Sequence, residues 1–208
     1  MSGQQLVDRA MRDSLAAVGR LQAAGVEPEA LAEFVPAGRR WLVLPRAATM
    51  RPLGEVWRLG ALLLGTDGTL YAAGRATRAA ERGRPGYQSA SREERRELAA
   101  AALDGGYPAG TPVNFDAAPI RLVELVTRHN QPGDAAGPPA LLDSPDGPGT
   151  PAPAGTTLSA DLALPVGVWG GELRVRWRPG ASLDGAATLD TYLAGRVELL
   201  VNPPLAAT

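Results

Sequence analysis

The stretch Glu55-Val56-Trp57-Arg58-Leu59-Gly60-Ala61-Leu62-Leu63-Leu64-Gly65-Thr66-Asp67-Gly68-Thr69-Leu70-Tyr71-Ala72-Ala73-Gly74-Arg75-Ala76-Thr77-Arg78 carries the strongest structural signal in the chain. Two apolar runs flank Asp67-Gly68, a pair suited to the positive φ angles of a two-residue type I′ turn, so the stretch reads as one hairpin. That loop fixes a register in which Leu64 faces Tyr71, Leu62 faces Ala73, Gly60 faces Arg75 and Arg58 faces Thr77. Trp57, Leu59 and Leu63 then share the other face with Ala72, Ala76 and Arg78. Trp57 opposite Arg78 predicts a cation-π contact of about 0.5 to 1 kcal/mol.

Working outward toward the N-terminus, Val7, Met11, Leu15, Val18 and Leu21 recur every three or four residues among charges, which predicts an amphipathic helix over 4–24 ended by Gly25. Glu27, Pro28 and Glu29 read as the start of a second helix running to Val35, and Trp41 to Leu44 as the first strand of a sheet. Toward the C-terminus, Ser91-Arg92-Glu93-Glu94 has the form of a capping box and predicts a helix from Arg92 to Leu103, stopped by Asp104, Gly105 and Gly106. Thr111 to Phe115 and Ile120 to Thr127 read as strands. From His129 to Gly155, 12 of 27 residues are Pro or Gly, which predicts a flexible loop.

Trp169-Gly170-Gly171-Glu172 offers a second hairpin turn, pairing Val168 with Leu173, Val166 with Val175 and Leu164 with Trp177. The opposite face places Arg174, Arg176 and Arg178 in a row beside Gly167 and Pro165, which reads as the wet face of a ribbon, with Pro165 on an edge strand. A short helix over Thr188 to Leu193 and a strand over Arg196 to Val201 close the chain. The order of elements predicts an α+β domain: a mostly antiparallel sheet built from hairpins, with N-terminal and central helices packed on it. Residues 1–208 are expected to form one domain, with an N-terminal helical segment over 1–38 and the hairpin, capped helix and strands over 39–128. The flexible loop follows over 129–155, and the last hairpin, helix and strand over 156–208.

Composition narrows the chemistry. The 208 residues are 45% hydrophobic and 21% charged with a net charge of -1, the profile of an ordinary globular chain. There is no Cys, all 21 basic residues are Arg, and His129 is the single histidine. Thiol nucleophiles, disulfides, cysteine-ligated metals, Schiff bases, P-loop lysines and two-histidine metal sites are therefore excluded. No cofactor and no metal are expected. Ser2-Gly3-Gln4-Gln5 lacks the basic start and apolar stretch of a signal peptide, and the apolar run Leu59 to Leu64 is far below the roughly 20 residues that span a bilayer. A cytoplasmic location without membrane contact is expected. Residues 39–96 hold 12 Arg against 5 acids, a local positive excess inside a chain of net charge -1, which argues against general nucleic-acid affinity.

That excess surrounds the loop before the capped helix. Arg82, Arg84, Tyr87, Gln88, Ser89 and Ser91 form the candidate ligand-binding set, since helix N-terminal amides and arginine forks both favour a carboxylate or phosphate. The predicted partner is a small anionic ligand or an acidic protein surface. Asp116, at the end of a strand, is a candidate general base or a partner for a loop arginine, and Ser89 a candidate nucleophile. His129 has no carboxylate placed to orient it as a catalytic group.

Val56 to Leu64, Leu70 to Gly74, Gly86 to Ser89 and Val113 to Asp116 resemble a group of small actinobacterial proteins labelled glutaminase, over roughly residues 40 to 125. The resemblance implies an amide hydrolase acting on glutamine or a similar amide, in which Ser89 or a water activated by Asp116 attacks the carbonyl. The chain lacks the Ser-x-x-Lys arrangement of serine-type glutaminases and the Cys of amidotransferases, so no catalytic residue is carried over. The residues themselves favour a non-catalytic module.

Overall fold

The computed structural model describes residues 2–40, 44–82, 89–129 and 164–204. The expected Trp41 to Val43 portion of a strand and most of the Pro/Gly-rich segment lie outside them. The fold is α+β, as expected, and it falls into two compact units, one of residues 1–10 and 121–189 and one of residues 11–120 and 190–208.

Helix α1 (Gly3–Ala23) buries Leu6, Val7, Ala10, Ala17, Val18 and Leu21; of the expected stripe Val7, Val18 and Leu21 are buried, while Met11 and Leu15 are each 55% exposed. The following segment departs from expectation. Glu29–Val35 is strand β1, hydrogen-bonded to β4 (Thr49–Leu59) on one side and β8 (Pro112–Phe115) on the other. Pro28 and its acids fit a strand entrance as well as a helix start, and burial of Leu31 and Ala32 between two neighbours decides for the strand. Strands β2 (Gly38–Arg40) and β3 (Leu44–Arg46) form a separate small ribbon.

The stretch from Glu55 to Arg78 makes two turns rather than one. Gly60 adopts φ 68° and reverses the chain at Gly60-Ala61, so β4 pairs with β5 (Leu62–Gly65), with Trp57 opposite Leu64 and Arg58 opposite Leu63. Tyr192 pins that turn: its hydroxyl donates to the Leu59 carbonyl at 2.8 Å and accepts from the Ala61 N–H at 3.0 Å. The second loop has three residues, Thr66, Asp67 and Gly68, closed by Gly65 N–H to the Thr69 carbonyl at 2.8 Å, with Gly68 at φ 86°. The Asp67 carboxylate holds this loop by accepting from the Thr69 N–H at 2.9 Å and hydroxyl at 2.8 Å. One extra loop residue shifts the register, so Leu64 faces Leu70 in β6 (Leu70–Ala72), Leu63 faces Tyr71 and Leu62 faces Ala72. Arg75 and Thr77 lie instead in β7 (Arg75–Arg78), opposite Phe115 and Val113 of β8. The expected Trp57–Arg78 contact does not form: the Trp57 indole donates to the Val26 carbonyl at 2.8 Å and Arg78 to that of Gly110 at 3.0 Å.

The seven strands run in the order β7-β8-β1-β4-β5-β6-β9, β9 being Ala118–Pro119. In a flat sheet β6 and β7 would lie five strand spacings apart, about 24 Å. Yet only Ala73 and Gly74 join them, and three Cα steps reach at most about 11 Å. The same argument joins β8 to β9 through Asp116 and Ala117. The sheet therefore curls until its edges meet, and β6–β7 and β8–β9 are two bent ribbons in a closed barrel of five. Gly74 and Asp116 form the corner: a Cβ on Gly74 would collide with the Phe115 carbonyl and the Asp116 backbone, and Asp116 sits at φ 56°.

Residues paired across strands share a face. Ala32, Met50, Val113 and Phe115 face outward, packed with Ala101 and Ala102 of helix α2 (Ala90–Asp104). Leu31, Val56 and Leu63 face inward, 3%, 0% and 0% exposed, and Tyr71, Ala73 and Ala117 pack against them. A closed barrel explains why these side chains are buried by sheet and corner residues alone.

Helix α2 begins two residues earlier than expected: its N-cap is Ser89, and Ser91 lies inside the first turn, so no Ser91–Glu94 capping box forms. Ile120 to Thr127 is not a strand, because Leu122–His129 is helix α3, with Leu125 and Val126 buried and Glu124 paired to Arg121 and Arg128. Spacing of three and four outweighs the β-branched residues here. Leu189–Val201 is one helix, α4, replacing the expected short helix and strand; it buries Leu193 and Val197, again four apart.

The second hairpin, β10 (Val166–Trp169) and β11 (Glu172–Val175), has the expected register from Val166–Val175 to Trp169–Glu172 but ends before Leu164 and Trp177. The arginine row is not a wet face. Arg176 is 7% exposed, donating to the Ala181 carbonyl at 2.8 Å and the Leu164 carbonyl at 3.1 Å, while Arg174 is half-buried against Glu172 and the Ala186 carbonyl. Only Arg178 is exposed, stacked 4.4 Å from the Trp177 ring centre. Gly167 leaves the space that Arg176 fills.

Candidate functional site

Polar side chains directed into a small barrel are costly unless they are paired, and this barrel has three. Glu29 lies opposite Val56 at the start of β1, Asn114 lies beside Leu31 on β8, and Arg58 lies opposite Leu63 on β4, so all three share the inward face. Arg58 and Asn114 are separated by β1 in the sheet, and the guanidinium reaches across that strand. Its Nε and Nη2 both donate to Asn114 Oδ1, at 3.0 and 2.7 Å. Asn114 is fully buried and in turn donates through Nδ2 to Glu29 Oε2 at 2.7 Å and the Ala30 carbonyl at 3.3 Å. The amide thus locks a cation on one side and an anion on the other.

Arg58 and Glu29 are half-buried, which puts them at the rim of the barrel interior. The charge of Arg58 is not matched: its partner is the neutral Asn114, and among the described residues no carboxylate lies within 4 Å of it. Two other arginines withdrawn from solvent have carboxylate partners, Arg174 with Glu172 at 3.0 Å and Arg96 with Glu93 at 3.8 Å, and Arg176 donates to the Ala181 and Leu164 carbonyls. A guanidinium fixed in direction by a buried amide leaves its end-on Nη1/Nη2 edge uncommitted, and two such parallel donors have the geometry to meet an oxyanion. Tyr71 also faces inward, and burial, helped by the negative charge of Asp67, raises its pKa above the usual tyrosine value, keeping the phenol neutral.

Of the residues singled out from sequence, those that are described lie apart from this group. Arg82 bridges Glu97 at 3.0 Å and Glu93 at 3.5 Å, so its charge is already answered by two carboxylates of α2. Arg84, Tyr87 and Gln88 lie outside the described residues. Ser89 caps α2 with its carbonyl, which accepts from Arg92 and Glu93 N–H, while its hydroxyl makes no cap hydrogen bond; Ser91 is exposed. A serine nucleophile needs a base within hydrogen-bond reach, and among the described residues none bonds the Ser89 hydroxyl. Asp116 pairs with Arg75 at 2.8 Å, not with a loop arginine, and Arg75 also holds Glu94 at 3.0 Å. His129 is exposed at the last residue of α3. No group of three or more His, Cys, Asp or Glu able to hold a metal occurs among the described residues, and none of their helices is long and apolar enough to cross a membrane.

The triad had a sequence signal that the apolar pattern masked. Arg58 interrupts Val56-Trp57-Arg58-Leu59 and Asn114 interrupts Val113-Asn114-Phe115, each a polar residue at the centre of a strand. Comparison with known proteins does not extend the reading: no family model matches the chain, and neither do curated proteins or solved structures.

Proposed function

We propose that the protein is a non-catalytic binding module that takes a small anionic group at the rim of its barrel, on Arg58. One observation carries this reading: a half-buried guanidinium, aimed by a fully buried Asn114, has no carboxylate partner among the described residues. Burying charge unpaired costs several kcal/mol in general, and a ligand that supplies the missing charge recovers part of it. The anionic ligand expected from the local arginine excess is retained, but at Arg58 rather than at the loop before α2, where Arg82 is committed to Glu93 and Glu97.

The test is thermal unfolding against a panel of carboxylates, phosphates and nucleotides at constant ionic strength. A ligand present at about 100 times its dissociation constant adds about 2.7 kcal/mol to stability. The reading predicts a rise in Tm for one anion class that Arg58→Lys removes. A flat response across the panel, or a rise that survives Arg58→Lys, contradicts it.

A further inference from the structure

We infer that the group taken by Arg58 is a single carboxylate carried on an apolar body, in preference to a phosphate; this rests on the anion-binding reading above. Three features of the rim lead there, the first fixing an oxyanion and the other two favouring a carboxylate over a phosphate. The first is the edge left open. Nε and Nη2 converge on Asn114 Oδ1, which uses the side-on fork of the guanidinium and leaves the end-on fork of Nη1 and the outer Nη2 proton. Two parallel donors of that spacing match the two oxygens of one planar carboxylate.

The second feature is Glu29. The same Asn114 that aims Arg58 holds the Glu29 carboxylate at 2.7 Å, so a fixed negative charge stands one amide away from the binding edge. A carboxylate brings one negative charge, which Arg58 neutralises. A phosphate near its second pKa brings up to two, and the surplus faces Glu29. Across the intervening amide and guanidinium, one uncompensated like charge lowers affinity by about tenfold.

The third feature is the lining. Leu31, Val56 and Leu63 form the barrel interior, with half-buried Tyr71, Ala73 and Ala117 around them, and Tyr71 stays a neutral phenol. Leu31, Val56 and Leu63 are closed off, so beyond the Arg58–Asn114–Glu29 group the apolar surface open to a ligand is that of Tyr71, Ala73 and Ala117, which rewards an aliphatic or aromatic body more than a bare inorganic anion.

The experiment is isothermal titration of the full chain with benzoate, butyrate, acetate and inorganic phosphate at one ionic strength, repeated on Arg58→Lys and Glu29→Gln. Benzoate and butyrate are expected to bind more tightly than acetate, and at least about tenfold more tightly than phosphate. Arg58→Lys should weaken them by about tenfold or more, because an ammonium cannot form the paired contact. Glu29→Gln, which still accepts from Asn114, should raise phosphate affinity toward that of the carboxylates. If that variant leaves the preference unchanged, or if acetate equals benzoate, the carboxylate inference falls. Phosphate binding as tightly as benzoate in an Arg58-dependent way overturns the ligand class while leaving the anion site standing. No binding of any of the four overturns both. Should Arg58→Lys fail to fold, as judged by circular dichroism, the Glu29→Gln preference decides alone.

Discussion

Replacing Asn114 by Ala tests whether the barrel depends on its inward polar group. The substitution removes the acceptor of two Arg58 donors, at 3.0 and 2.7 Å, and the donor to Glu29 at 2.7 Å. Hydrogen bonds to charged groups contribute about 1.5 to 3 kcal/mol each. Because Arg58 and Glu29 are half-buried and regain some water, the lower end applies, and the longer bond to the Ala30 carbonyl adds little. Counting the two Arg58 donors, which converge on one oxygen, as a single interaction, the sum is about 3 kcal/mol, a large part of the 5 to 15 kcal/mol that holds a typical domain. With a urea slope of about 2 kcal/mol/M, the midpoint should fall by about 1.5 M at unchanged slope. A double-mutant cycle with Arg58→Met should return a coupling of at least about 1 kcal/mol, since Arg58 donates twice to Asn114. A loss below about 1 kcal/mol, or strict additivity, would refute the reasoning.

Other positions give independent checks. Gly74→Ala drives a methyl into the Phe115 carbonyl and the Asp116 backbone at the barrel corner, so it should cost at least about 2 kcal/mol and lower Tm by about 4 to 8 °C; an unchanged melt would remove the corner from the account. Tyr192→Phe removes the hydroxyl that holds Leu59 and Ala61 at the Gly60 turn and should cost about 1 to 2 kcal/mol in urea unfolding. Asp67 is held below its ordinary pKa of 3.8 chiefly by the Thr69 backbone N–H, with the Thr69 hydroxyl adding to the effect. A depressed folded pKa means stability that is present above the unfolded value and lost as pH falls through the folded one. The deficit of Asp67→Asn should therefore be constant near neutrality and shrink below about pH 3.8, and a pH-independent deficit would sink the idea.

How much of this was legible in the sequence follows from the range of the forces involved. Helix α1, the stop of α2 at Gly105 and the Gly170-Gly171 hairpin rest on local periodicity and turn chemistry, and each was readable. The registers of β4, β5 and β6 were not, because Gly60-Ala61 is a weaker turn signal than Asp67-Gly68 and a three-residue loop shifts everything after it by one. Strand β1 and helix α3 depended on which neighbours would bury Leu31, Ala32, Leu125 and Val126, which is a tertiary matter. Closure of the barrel follows from two short joints, at Ala73-Gly74 and Asp116-Ala117, that only gain meaning once the strand order is known. For the same reason the arginines could not be sorted by sequence. Arg82 finds its acids one helical face away, Arg176 is taken up by carbonyls, and Arg58 reaches across a strand to an amide 56 residues distant.

The most direct test of the central claim is the Nε–H resonance of Arg58 in a nitrogen–proton correlation spectrum, recorded with and without benzoate. The account predicts a resonance protected from solvent exchange by Asn114, shifting in a saturable manner as benzoate is added and losing its protection in Asn114→Ala. An Arg58 signal that exchanges as freely as those of the exposed arginines, or one that ignores benzoate and phosphate alike, would contradict it.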